Sequence, residues 1–243
     1  MATKLTCYPQ ISGADIYSNS ATQLTSLGVY AETNDGRGFR YACAGGSDTV
    51  AGQVFQGPAE DTTNYSPSGG LSVAASAIGA TTVTLTSSVT IAKNALAGGL
   101  LFVNVTPGIG YSYKILSNTA VTGAAGCIFT LEDPLIVALT TSSKITVRAN
   151  IYNGIVVAPT TMTNSIVGVP QYIVTAAYYG WVQTHGMAAC LQTGTGTCGK
   201  ALGFLQGGTQ GSLAPAIAGT PILAWSAGTN ITGEYSSVFL TIN

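Results

Sequence analysis

Ionised side chains are scarce in this sequence: Lys and Arg supply 8 of 243 residues and Asp and Glu 9. That is 7% of the chain, against about 25% in ordinary soluble proteins. The basic residues are scattered from Lys4 to Lys200 without a cluster. Phosphate-driven nucleic-acid binding therefore has no electrostatic footprint, and no nucleic-acid partner is expected. No stretch approaches the roughly eighteen apolar residues that a membrane-spanning helix requires. The opening "MATKLTCYPQ" has no apolar run of leader length, so neither a membrane nor cleaved export is expected. Histidine occurs once, and the five cysteines are odd in number and without any CxxC pair. A zinc site or a disulfide framework does not read this way; reduced thiols in a protein made in the cytoplasm do. Finally, no eleven-residue window has a convincing helical period, "ATQLTSLGVYAE" being the best and a weak one.

What remains is glycine, hydroxyls and apolar residues. The chain has 31 Gly, 46% hydrophobic residues, a mean hydropathy of +0.37 and a net charge of −1. Such a chain folds, because disorder needs low hydrophobicity and high net charge. A length of 243 residues buries about 70% of its extended-chain surface, so no staples are needed. Weak self-repulsion and poor colloidal stability then predict a subunit whose surface is covered by neighbours.

The first seventy residues differ from the rest. Leu27 to Thr33 and Gly38 to Cys43 flank "NDGR", whose Asn and Gly adopt positive φ at little cost, and this predicts a hairpin. The residues before it have little periodicity. "FQGPAEDTTNYSPSGG", 55–70, reads as a linker or long loop. From Leu71 the period becomes two. "TTVTLTSSVTI", "LLFVNVT", "YSYKILS", "CIFTLED" and "KITVRAN" are short strands rich in Val, Ile, Thr and Tyr, and "VTPGIGYSY" is a Pro-Gly turn between two of them. The C-terminal part continues with "GIVVAPT", "QYIVTAAYYGWVQTHG", "AACLQ", "PILAWSAG" and "EYSSVFLTIN". The expected fold is all-β, a short-stranded barrel or sandwich body with an extended N-terminal arm. Residues 1–70 form the arm and hairpin, and 71–150 pack with 151–243 as one body.

Each hint of chemistry has a plainer reading. His185, in "YYGWVQTHGMAACL", lacks a carboxylate nearby in sequence, since Asp133 and Glu234 are the nearest; a strand-end histidine bonded to a turn fits better than a general base. Alternation places Trp181, Gln183 and His185 on one side and Val182 and Thr184 on the other. "GTGTCGK" matches GxGxxG, yet the "ALGFLQGG" that follows is too short and glycine-rich for a phosphate-facing helix. Cys190 and Cys198 with His185 fit no metal spacing. Glu60 with Asp61, and Glu132 with Asp133, read as turn acids rather than a hydrolase pair. Trp181, Tyr178, Tyr179 and Trp225 suit a core or interface better than a sugar platform. No catalytic, cofactor-binding or metal-binding residue is assigned.

The runs "GLLFVNVTPGIGYSYKILSN", "LEDPLIVALTTSSKITVRANIYNGIVVAPT", "VGVPQYIVTAAYYGWVQTHGMAACL" and "GEYSSVFLTIN", with the front "GVYAETNDGRGFRYACAGGSDTVAGQVFQGP", resemble virion structural proteins of tailed bacteriophages, in particular head decoration or cement proteins. "YGWVQ", Tyr179 to Gln183, is the most distinctive part. The resemblance implies a noncatalytic protein on the capsid surface, made in the host cytoplasm. It would clamp major capsid protein subunits, often as a homotrimer, through β-rich bodies and terminal arms, without a cofactor. Tyr8, Ile11, Ile16 and Tyr17 in the arm, and Tyr179, Trp181 and Gln183 in the strand, are then the expected interface or packing residues. The alternatives are a phage tail or fibre component, and a glycan-binding β protein using Trp181 and a carboxylate such as Glu132.

Overall fold

A computed structural model describes residues 8–204, 208–229 and 231–242. Whatever was expected of residues 1–7 lies outside the described residues. The fold is nearly all β. Its one described helix, α1 (Gly13–Ile16), is a single turn started by a capping box in which Ser12 and Asp15 satisfy each other's backbone N–H groups. The weak helical candidate at 21–32 is not helical; its end is strand, where Tyr30 and Ala31 pair across the hairpin.

The strands run in three blocks: first β1 (Tyr30–Glu32), β2 (Gly38–Ala44) and β3 (Phe55–Gln56). Next come β4 (Leu71–Ser72), β5 (Thr82–Thr84), β6 (Val89–Ile91), β7 (Leu100–Val105), β8 (Ser112–Asn118), β9 (Val121–Ala124), β10 (Ile128–Leu131) and β11 (Lys144–Arg148). Last are β12 (Asn153–Val157), β13 (Ile166–Pro170), β14 (Tyr179–Leu191), β15 (Ala201–Gly203), β16 (Ala214–Pro215), β17 (Ile222–Ser226) and β18 (Tyr235–Thr241).

The chain divides into two compact units, Met1–Pro58 with Ile151–Asn243, and Ala59–Asn150. These bounds differ from those of the expected segments 1–70, 71–150 and 151–243. The C-terminal segment builds its sheet with β1 to β3, and the middle segment is an insertion with sheets of its own. The physical reason is that period-two strands specify which face is buried but not which strand lies alongside.

In the inserted unit, β4-β11-β7-β8-β10-β5 form one sheet and β6-β9 a two-stranded one. Leu101, Ile115, Phe129, Ile145 and Val147 project inward at every second position and are almost fully buried. Full burial of each such side chain stabilises by about 1.5–3 kcal/mol.

In the other unit, β2, β12, β3, β13 and β14 pair in sequence, and β14 pairs back to β2, which closes a five-stranded barrel. Ala42, Phe55, Ile155, Val167 and Val182 form one packed cluster of this unit. The expected hairpin is present: β1 and β2 are antiparallel with Glu32 opposite Gly38, and Gly36 sits at φ +83°. Strand β14 is longer than read from sequence. Its first half belongs to the barrel, and from His185 to Leu191 it pairs with β18, which carries β17, β15 and β16 beyond it. Residues 8–26 are as poor in strand as the sequence suggested, while the hairpin strand expected from Leu27 begins at Tyr30, and this segment is tied to its own barrel. Ile11 donates to the Glu32 carbonyl, Glu32 to that of Pro9, and Ser20 and Tyr179 exchange backbone bonds.

Candidate functional site

The rare residues around His185 are organised by an irregularity in β14. Its register against β2 shifts between Gln183 and His185, so Thr184 is a bulge residue and the alternation read from sequence breaks there. Gln183, Thr184 and Val182 are all buried. The Gln183 amide donates to the carbonyls of His185 and Met187, each at 2.9 Å. It thereby satisfies two carbonyls at the kink, while its own Oε1 is buried without a partner. His185 is not at a strand end, as expected, but in the middle of a strand of thirteen residues.

The bulge places Thr184 and His185 on the wall of a cavity of about 360 Å³, with Tyr8, Tyr30, Glu32, Arg40 and Ile242. Strand pairing explains the gathering: Tyr30 is opposite Arg40 on one edge of β2, and Val182 is opposite Arg40 on the other. Arg40 is two residues from Ala42, so the two share a face of β2; Ala42 and Val182 pack in the barrel cluster.

The Arg40 Nη1 donates to the Gly28 carbonyl at 2.8 Å. Its guanidinium lies over the rings of Tyr30 and Tyr152, 5.5 and 5.8 Å from their centroids. Its Nε is buried without an acceptor, and it is in none of the ion pairs formed among the described residues. Tyr30 donates to Glu32 at 3.0 Å. Burial first, and then that bond, push the Tyr30 phenol up to about 12, so at neutral pH it remains a neutral donor. The Tyr8 ring meets Tyr30 edge-on at 4.9 Å, and His185 meets Phe239 edge-on at 5.1 Å.

The residues expected to form interfaces are separated by this arrangement. Gln183 and Ile16 are 0% and 1% exposed, so both pack inside their own fold. Ile11 is half-buried, while Tyr8 and Tyr17 are exposed. Tyr179 and Trp181 flank Tyr41, the first stacked at 6.1 Å and the second edge-on at 5.1 Å. Trp225 lies elsewhere, on β17 opposite Phe239 of β18, so the tryptophans do not make one platform.

The other motifs resolve locally. The GxGxxG run is a loop leading into strand β15 rather than a helix, so it cannot present helical N–H groups to a phosphate. Among the described residues no three His, Cys, Asp or Glu side chains group as a metal site would. The acids are individually engaged: Glu60 with Arg148 and Ser66, Asp61 with Asn64, and Glu132 with Lys114. Of the pocket residues, only Tyr8 and His185 stand out in the sequence as interface or chemical candidates. The missed signal was Arg40, a cation inside the apolar strand "GFRYACA".

Cys190 is fully buried on β14, and burial pushes its thiol up to about 12. An unfolded thiol titrates near about 8.5. The folded state therefore holds a proton that the unfolded state loses. Stability is full below about pH 8.5 and declines as pH rises towards 12, by about 1.4 kcal/mol per pH unit. Denaturant melts near neutral pH and about two units higher are expected to show this decline, and Cys190→Ala should lower stability at both pH values but reduce the difference between them.

The chain matches no protein-family model, and neither the curated proteins nor the solved structures yield a match.

Proposed function

We propose that this chain is a noncatalytic virion structural protein that binds the outer capsid lattice and cements major capsid protein subunits, assembling as a homotrimer. The observation that carries the reading is a stripe of half-exposed apolar side chains across one sheet. Met187 of β14 is opposite Phe239 of β18, which is opposite Trp225 of β17. The three are 48%, 38% and 44% exposed. Strands β14, β17 and β18 contain no Asp, Glu, Lys or Arg. Contiguous apolar surface free of charge, with aromatic and Met side chains, is the composition of an interface centre. The resemblance to head decoration proteins gives that interface its partner, and the charge-poor composition supports a life in an assembly.

The test is co-sedimentation of the purified protein with capsids, with copy number per particle and solution mass measured alongside. Hundreds of copies and a trimer are expected. Trp225→Lys with Phe239→Lys should abolish co-sedimentation while the protein still unfolds cooperatively at a somewhat lower thermal midpoint, because the rings are 44% and 38% exposed and the rest of their surface is packed. A strictly monomeric protein that ignores capsids would overturn the proposal, and a handful of copies would move it to a tail or fibre.

A further inference from the structure

The cavity beside β14 is separate from that stripe in its chemistry. A charged, hydroxylated recess is a poor protein interface centre and a good small-ligand site. We infer that it binds a monosaccharide carrying one carboxylate, an acidic sugar of the uronic acid type.

Arg40 supplies the first argument. A guanidinium half-withdrawn from water without a carboxylate partner is costly, and two tyrosine faces and one carbonyl offset only part of its desolvation. Its Nη1 donates to the Gly28 carbonyl and its Nε is buried out of a ligand's reach, so the donors it offers to the cavity it lines are those of the guanidinium's remaining edge. A guanidinium with spare donors on a cavity wall is suited to a planar oxyanion.

Glu32 narrows the choice of anion. Its carboxylate takes one bond from Tyr30 and retains accepting capacity beside the cavity. A second negative charge on the ligand would be repelled there, which disfavours phosphate. Ligand hydroxyls would be bound, because ionised carboxylates accept strongly from O–H donors. The His185 ring, packed edge-on against Phe239, adds a group that can donate or accept. The Tyr8 ring, 53% exposed, and Ile242 present apolar surface on the same wall, suited to the C–H face of a sugar ring. One carboxylate, several hydroxyls and an apolar face together describe an acidic pyranose. The volume, about 360 Å³, is at the small end of the roughly 300–1,000 Å³ typical of ligand sites and accommodates a single ring.

Titration calorimetry or ligand-observed NMR with the full chain tests this. The probes are glucuronic acid, its methyl glycoside, an oligosaccharide ending in glucuronic acid, glucose and inorganic phosphate. Glucuronic acid is expected to bind at least tenfold more tightly than glucose or phosphate. Equal affinity of the methyl glycoside and the oligosaccharide would mark a chain terminus as the source, whereas binding of the free acid alone would mark a free metabolite. Arg40→Gln should remove the preference for acid over glucose. Because Arg40 also holds the Gly28 carbonyl, Glu32→Gln and His185→Ala serve as variants that keep the barrel intact, and each should weaken glucuronic acid at least fivefold. Equal binding of acid and neutral sugar, tighter binding of phosphate, or no binding of any acidic sugar would overturn the inference. None of these outcomes bears on capsid attachment, which the Lys variants of the stripe report separately.

Discussion

Gln183→Glu is expected to lower the stability of the barrel unit by about 4 kcal/mol at neutral pH, since a buried Glu is raised by up to about 3–5 pH units when nothing stabilises its charge. The substitution keeps shape and volume, so packing is not the cause. The native amide aims both N–H groups at the carbonyls of His185 and Met187. A carboxylate there would face two carbonyl dipoles with no donor, in a position that is 0% exposed. The introduced acid therefore holds its proton well above the ordinary carboxylate range in the folded state. By linkage the pH-dependent part of its penalty is absent below about pH 4.3, the unfolded value, and grows as pH rises through the interval up to the folded value, on top of the cost of one carbonyl left without its N–H donor. Denaturant melts of the wild type and Gln183→Glu near pH 5 and pH 8 should show the gap widening with pH. Gln183→Leu is the informative contrast. It leaves both carbonyls without the amide, but it also removes an oxygen that is already buried without a partner, and it should cost only about 1–2 kcal/mol with no added pH dependence. If the two variants were equally destabilised at every pH, the amide's role at the bulge would be wrong.

Phe129→Ala is expected to cost about 3–5 kcal/mol, the usual penalty for truncating a fully buried phenylalanine. Phe129 is 0% exposed on β10, opposite Val83 of β5 and Asn118 of β8. It sits in the cluster that includes Leu101, Ile115, Ile145 and Val147, all drawn from residues 59–150. The inserted unit has a core of its own, so the damage should be confined to it. Hydrogen exchange should show lost protection on β7, β8, β10 and β11, with β14 and β18 retaining theirs. Uniform loss across both sets of strands would mean that the chain unfolds as one cooperative block.

Much of this protein was legible before its structure. The β class follows from short runs rich in Val, Ile, Thr and Tyr; β7, β10 and β11 are found within the runs read from sequence, and β8 extends one residue, Asn118, past its own. The hairpin at Asn34 to Arg37 was local turn chemistry, and the structure places it there. The capping box at Ser12 and Asp15 is equally local, but its one-turn helix has no periodicity by which a sequence pattern would reveal it.

The sequence by itself determined composition-level properties and faces: an apolar, charge-poor chain whose strands each have an inside and an outside. Tertiary structure alone decided which strands are neighbours, that 59–150 is an insertion, and that Glu32 and Arg40 meet Thr184, His185 and Ile242 from far along the chain. Alternation is a property of one strand, whereas pairing and closure depend on how many side chains fill a common interior, and many partners satisfy the same pattern. The bulge at Thr184 is the sharpest case. A one-residue shift in register, fixed by Gln183 within the folded barrel, took His185 from an expected strand end and set it on the wall of a cavity.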